Sequence, residues 1–275
     1  MLRCKKRRCI RCLKQAFINF SMAPSTLCPP SCNACSLRSS GAFTNIQPEE
    51  LQFIETFRTG THQVNAGGTI LYEQKPNEKL FTLYSGWAFR YKTLSDGRRQ
   101  ILNFLLPGDF IGLQQKFADG AAHGIEAVTD VALCVFPRDG LWALFREYPA
   151  LSYDITWLAA RGEGLVDENL LTNGRRNATE RVAMLLLQLY RRLERIGMQR
   201  RDPDGLGGSI EFPLNQQHIA DALGLSLVHT NKTLRRLQQL GLHELANGRL
   251  HLRNMRALER IADYYETHSE PVPLV

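Results

Sequence analysis

The segment His218–Leu242, HIADALGLSLVHTNKTLRRLQQLGL, constrains this chain more than any other stretch. Two helical apolar patterns meet at Gly224 with almost no chain between them. The first, starting at Asn215 or Gln216, is expected to bury Ile219, Ala220 and Leu223. Gly224 permits a sharp turn, Leu225 plugs the small core, and Ser226 can cap the second helix. In that second helix Leu227, Thr230, Leu234 and Leu237 fall at helical spacing and should face inward. Val228, Asn231, Lys232 and Arg235 then share the opposite face, with His229 on its flank. Downstream, LHELANGRLHL carries Asn247-Gly248, a strong hairpin signal. Helix, tight turn, helix and hairpin make the layout of a winged helix-turn-helix.

The outward face holds side chains that a DNA major groove can use. Asn suits an adenine edge, Lys or Arg suits guanine or phosphate, and Val suits a thymine methyl. Gln216 and Gln217 on the first helix, and Arg249 and Arg253 near the hairpin, are candidates for phosphate contacts. The bland alternative is a solvated basic helix. Against it, the turn, cap, hairpin and apolar period agree independently. The formal net charge of +7 favours a polyanionic partner, though weakly.

The remaining texture divides the 275 residues into about two domains. Residues 1–45 are rich in Cys, Ser and Pro without period, and read as a basic leader. From 46 to 138, after the helical pattern QPEELQFIETF, short apolar runs alternate with turn residues such as Gly86, Asp96-Gly97 and Pro107-Gly108, which suggests a barrel or roll. Residues 139–173 read as a long helix whose stripe of Leu151, Ile155, Leu158, Leu165 and Leu170 serves as core or as a dimer seam. Residues 174–262 form the winged helix-turn-helix, entered through a helix capped at Asn177 or Thr179, and 263–275 a tail. The fold class is therefore α+β. No apolar run is long enough to cross a bilayer, so no membrane partner is expected. The basic start, MLRCKKRRCIRC, lacks the apolar core of an export signal, and a cytoplasmic location is expected.

ATERVAMLLLQLYRRL, the turn segment and LHELANGRLHL resemble the C-terminal domain of the CRP/FNR family of bacterial transcription regulators. LYSGWAFRYKTLSDGRRQILNFLLPGDFIGL resembles that family's N-terminal cyclic-nucleotide-binding-like β-roll (jelly roll). The likeness spans about residues 45–262. It implies a homodimer joined along the helix after the roll, with one recognition helix per palindromic half-site of double-stranded DNA. RNA polymerase is the further partner it implies, and Asp96–Arg99 reads as a hairpin tip that could face the polymerase. Members with the well-known half-sites carry Glu early in the recognition helix and Arg one turn later. Val228 and Lys232 stand there in this chain, so a different or relaxed operator is expected.

Three effectors compete. Family members that bind cyclic nucleotide use a Gly-Glu pair after the PGD turn and an Arg-Ser pair further on. This chain reads FIGLQQKF and AAHGIEAVTD at those places, which disfavours a cyclic nucleotide because a buried phosphate would lack a bidentate partner. An iron–sulfur cluster is the second. Six of the seven cysteines lie in the first 35 residues. LCPPSCNACSL resembles the cysteine cluster of the oxygen-sensing branch, and Cys134 matches its distant ligand, so Cys28, Cys32, Cys35 and Cys134 could supply four thiolates. The branch's cysteine a few residues further on is missing near Gly41, so Cys28 would replace it. Cys134 could equally be an ordinary buried thiol. Zinc on Cys9, Cys12, Cys32 and Cys35 is the third, set against a basic tail that binds no metal. A metal-binding cupin-like enzyme is the remaining alternative. His62 and His123 are isolated, and no catalytic constellation stands out, so no enzymatic activity is expected.

Overall fold

The computed structural model describes residues 31–116, 120–201, 208–265 and 271–275. After short 3-10 turns at Cys32–Ala34 and Arg38–Ser40, Pro48–Phe57 forms helix α1. A proline at its start removes one free N–H, and Glu50 accepts from the Gln47 N–H at 2.9 Å. Ten strands follow: β1 Gly60–Val64, β2 Thr69–Leu71, β3 Lys79–Ser85, β4 Ala88–Thr93, β5 Arg99–Leu105, β6 Phe110–Ile111, β7 Gln115–Lys116, β8 Gly120–Ala121, β9 Gly124–Ala127 and β10 Val131–Pro137. They pair antiparallel into sheets ordered β1-β10-β3-β6 and β2-β9-β4-β5, with β7 and β8 as a small hairpin.

Both faces of each large sheet are apolar, and period-two alternation shows why. Phe81, Leu83, Leu133 and Val135 of one sheet meet Ala88, Leu105, Ile125 and Ala127 of the other. The residues between them point outward into two further cores. Leu80, Tyr84, Ala132 and Phe136 pack on α1 and on the helices after the roll. Trp87, Phe89, Ile101 and Phe104 pack on the C-terminal domain.

The expected single helix over 139–173 is two helices, α2 (Leu141–Glu147) and α3 (Pro149–Arg175). Pro149 has no N–H to continue the first helix, and it takes the first position of the second. Leu151, Ile155 and Leu158 are buried against this chain's own roll, whereas Leu170 is 71% exposed. The stripe therefore divides: its first half is core, and only its second half faces outward.

Helix α4 (Ala178–Arg195) is capped by Asn177, whose side chain accepts from Thr179 and Glu180 N–H, and Glu180 returns the bond. Every residue from Val182 to Leu187 is buried, so α4 is the hub of the C-terminal core. Around it lie β11 (Arg200–Arg201), β12 (Gly208–Glu211), α5 (Gln216–Leu223), α6 (Leu227–Gln239), β13 (His243–Ala246), β14 (Arg249–Leu252) and α7 (Met255–Ala262). The four strands pair in the order β11-β12-β14-β13.

Two charged nodes fasten this domain to the roll. Arg99, expected at a free hairpin tip, is instead half-buried at the seam. It pairs with Glu126 at 3.0 Å and with Asp221 of α5 at 3.2 Å, over the rings of Phe89 and Tyr91. At the second node Asp109, in the PGD turn, accepts from Arg161 of α3 at 3.5 Å, from Arg192 of α4, and from Leu106 N–H at 2.8 Å. The residues expected to form a tail also join the roll, since Val272, Leu274 and Val275 are buried.

Asp109→Asn leaves two guanidinium groups facing a neutral amide at a nearly buried site. Breaking a buried pair in this way costs about 3–5 kcal/mol. Urea unfolding of parent and variant measures the loss, and a change below about 1 kcal/mol would remove Asp109 from the role given to it here.

Candidate nucleic-acid interface and thiol cavity

Helices α5 and α6 meet at Gly224, whose φ of +61° is left-handed and suits glycine. Asn215 caps α5 by accepting from His218 N–H, and Ser226 caps α6 by accepting from His229 N–H at 3.2 Å. Thr230, Thr233, Leu234 and Leu237 turn inward. Leu227, expected inside, is 46% exposed, and Thr233 takes the buried place. Leu227 opens the helix, where its side chain projects beyond the two-helix core.

Val228, His229, Lys232 and Arg235 are exposed, and Asn231 is half-buried. Gln216 reaches across from α5 and donates to the Asn231 amide oxygen at 3.3 Å. Val228, Asn231, Lys232 and Arg235 border one open concavity of about 540 Å³, joined there by Arg236 and Gln239. Sequence reasoning missed those last two, although Gln239 lies a further helical turn beyond Arg235 on the same face. The charge on this surface is cationic, and no carboxylate borders it.

The flanking candidates are more engaged than the sequence suggests. Gln217 donates to Asp221 at 2.6 Å, the carboxylate that also holds Arg99. Arg249 donates from Nε to Ser209 Oγ at 2.9 Å and from Nη2 to the Ser209 carbonyl at 2.8 Å. It therefore braces β14 against β12. Arg253 pairs with Glu244 at 2.9 Å. Between β13 and β14, Asn247 and Gly248 both have positive φ, as a tight hairpin with matching twist demands.

Cys28, Cys4, Cys9 and Cys12 lie outside the described residues. Cys32, Cys35 and Cys134 line one cavity of about 20 Å³, together with Arg38, Arg58, Tyr84, Leu274 and Val275. The β10 register sets Cys134 opposite Thr82 on β3 and Thr61 on β1, which brings it under the Cys32 turn. Arg58 donates to the Cys134 sulfur at 4.0 Å and pairs with Glu55 at 3.2 Å. Burial pushes the Cys32 thiol up to about 12, against the pull of Arg58. Burial raises Cys134 as well, again opposed by Arg58. Among the described residues, no three Cys, His, Asp or Glu side chains stand close enough to hold a metal ion. The donors are of the right type and share one cavity, beside two guanidinium groups that would offset an anionic cluster.

A second cavity, of about 30 Å³, lies between the roll and α3. Arg90, Asn103, Asp109, Gln114, His123 and Arg161 line it. Arg90 is buried with its Nε lacking a partner, and so is the Asn103 amide oxygen. The family resemblance places the phosphate-binding Arg-Ser pair where this chain reads AAHGIEAVTD. The buried guanidinium comes instead from β4, inside the apolar run AFRYKT. This cavity and the thiol cavity each admit only one or two waters as they stand, so volume does not separate the candidate effectors.

A strand-rich roll that leads through a long helix into a winged helix-turn-helix defines an effector-type domain coupled to a DNA-binding domain. Residues 61–148 match the family model of the cyclic nucleotide-binding domain, and residues 180–261 that of the Crp-like helix-turn-helix domain. The nitrogen fixation regulation protein FixK of Rhizobium meliloti is 30% identical over 72% of this chain and 81% of its own length. FixK of Bradyrhizobium diazoefficiens is 29% identical over 84% of this chain and 93% of its own. The solved structure of FixK2 from Bradyrhizobium japonicum superposes with a TM-score of 0.65 at 26% identity, covering 75% of this chain and 98% of the other. The chain belongs to the CRP/FNR family of transcription regulators. The cupin-like enzyme alternative falls with that assignment. Among the described residues, no helix is long and apolar enough to cross a membrane.

His243, on β13, gives the DNA-binding domain a pH signature. It is buried, neither ring nitrogen has a partner, and burial lowers its pKa to about 4. Between about pH 6.5 and 4 the unfolded chain binds the proton and the folded chain does not. Stability therefore falls as pH drops through that window, by about 1.4 kcal/mol per unit for each such histidine. His123, pushed down to about 3 by burial, Arg90 and Lys92, adds in the same direction. Urea unfolding at pH 7 and pH 5 should show His243→Leu losing about 2 kcal/mol less than the parent. Equal losses would contradict the assignment.

Proposed function

We propose that this regulator binds a palindromic operator as a homodimer, with α6 as the recognition helix. Val228, Asn231 and Lys232, flanked by His229, meet base edges, and Arg235 meets a base or a phosphate. Ser226 sets the start of α6, while Gln216 orients Asn231. Gln217, Arg249 and Arg253 lie toward the backbone and shape the surface more than they grip it. The observation that carries this reading is the row of uncharged and cationic side chains on α6, held outward because Thr230, Leu234 and Leu237 are fixed inside.

The dimer seam follows the exposed face of α3, where Tyr153, Thr156, Ala160, Asp167 and Leu170 recur near heptad spacing. Half-sites about one helical turn apart follow from that symmetry. RNA polymerase is the partner downstream of DNA binding, and the cytoplasm is where operator and polymerase are met. The roll (46–138) is the sensory unit, and the helical segment 139–173 relays its state to the winged domain (174–262).

Asn231→Ala should relax specificity at one operator position, costing about 1–3 kcal/mol there and little elsewhere. Gel-shift titration against every single-base operator variant measures this. A uniform loss across variants would assign Asn231 to the backbone instead.

Three thiols lining one cavity, with FIGLQQKF and AAHGIEAVTD in place of the Gly-Glu and Arg-Ser pairs, support redox sensing in preference to a cyclic nucleotide. Cys28, Cys32, Cys35 and Cys134 would hold an iron–sulfur cluster, which supplies an oxygen-labile redox centre when bound. Arg38 and Arg58 offset its negative charge, and the surrounding apolar side chains limit solvent. Protein purified without air should contain iron and sulfide and show visible absorption that fades in oxygen. A colourless, iron-free anaerobic preparation would leave a regulator with no cluster.

A further inference from the structure

Val272, Leu274 and Val275 are buried as deeply as the strands of the roll. The segment Pro271–Val275 crosses the roll beside Cys32, Cys35 and Cys134, and its last two side chains form one wall of the cavity those thiols line. Its backbone bridges Phe43 in parallel: Val272 N–H donates to the Ala42 carbonyl at 3.0 Å, and Thr44 N–H donates to the Val272 carbonyl at 3.0 Å. Arg38 Nη2 donates to the Leu274 carbonyl at 2.8 Å, and Thr82 Oγ1 donates to the Val275 carbonyl. Main-chain hydrogen bonds combined with apolar side chains in pockets are how an extended peptide is held in a groove.

Two features tie this docking to the sulfurs. With the segment in place, the space beside the thiols is about 20 Å³, enough for one water. Leu274 and Val275 are among the side chains that a larger group on those sulfurs would meet. Arg38 is also shared, since its guanidinium holds the Leu274 carbonyl and its charge faces Cys32, Cys35 and Cys134. An anionic occupant on the thiols would draw that cation away from the peptide.

We propose that the groove above Cys32, Cys35 and Cys134 is a peptide-docking site whose ligand is this chain's own Pro271–Val275. Docking of that segment and occupancy of the thiols exclude each other. The segment continues the winged domain beyond α7, so the groove receives its ligand from the DNA-binding half of the molecule. Tethering supplies the high local concentration that a five-residue ligand needs. The inference does not depend on an iron–sulfur cluster, because any bulky group on the sulfurs suffices.

The first test is alkylation of reduced, iron-free protein by iodoacetamide, read at each cysteine by peptide mass mapping. Chains ending at Glu270, and Leu274→Asp, should alkylate Cys32 and Cys134 at least tenfold faster than the parent. Cys4, Cys9 and Cys12 should keep their rates. Adding the free peptide Pro-Val-Pro-Leu-Val at millimolar concentration to the truncated chain should restore protection. The second test reads the converse on the parent chain. After modification of its thiols with N-ethylmaleimide, the amides of Val272 and Thr44 should exchange hydrogen at least tenfold faster. Alkylation rates within twofold of the parent, absence of protection by the peptide, or unchanged amide exchange would each overturn the proposal. Should truncation unfold the roll, the maleimide measurement decides alone. Neither test contains iron or DNA, so the cluster and operator readings stand or fall separately.

Discussion

The carboxylate of Asp109 is the constraint on which the arrangement of this molecule depends. It closes the PGD turn by accepting from Leu106 N–H, and it also takes a guanidinium from α3 and another from α4. One nearly buried charge thus fixes the roll, the long helix and the hub of the winged domain relative to each other. Isolated burial of a carboxylate is costly, and the two arginines with a backbone donor make it tolerable. Removing the charge strands its partners, so the node is conditional on all three elements arriving together. The Arg99 node does similar work, joining the β4–β5 hairpin to α5 through Asp221.

Much of this was legible in the sequence because local rules decided it. The Gly224 turn, the Ser226 cap and the Asn247-Gly248 hairpin each need a particular residue for a particular backbone geometry, and each forms as expected. The strands of the roll were legible as strands, but not as strands buried on both faces. Phe89 lies on the sheet face that α5 covers, where His218 packs on it with ring centroids 5.4 Å apart. Leu227 misled for a different reason. Helical spacing assigns it to the core, yet the buried face of α6 begins only at Thr230, and a position in a periodic pattern does not say how far the partner surface extends. The charged groups were the least legible. Arg90, Arg99 and Arg249 look alike on paper, but one lines a cavity, one bridges domains and one ties two strands.

The two ends of the described chain could not have been read from local pattern at all. Residues 31–44 have no period, and 271–275 are too short for one. What gives them structure is the satellite core beneath α1, where Cys32, Leu37, Phe43, Val272 and Leu274 complete a cluster begun by Ile54, Tyr84 and Phe136. Contacts separated by more than two hundred residues leave no trace in spacing. The thiol cavity is likewise assembled across the chain, with Cys32 and Cys35 from one region and Cys134 from another.

The Phe43–Val272 bridge has a mechanical consequence. The bridge comes on top of other fastenings between the winged domain and the roll: α3, the ion pairs of Asp109 and Arg99, and the apolar seam around Trp87 and Phe89. Unlike those, it consists of two main-chain hydrogen bonds and strands no buried charge when it parts.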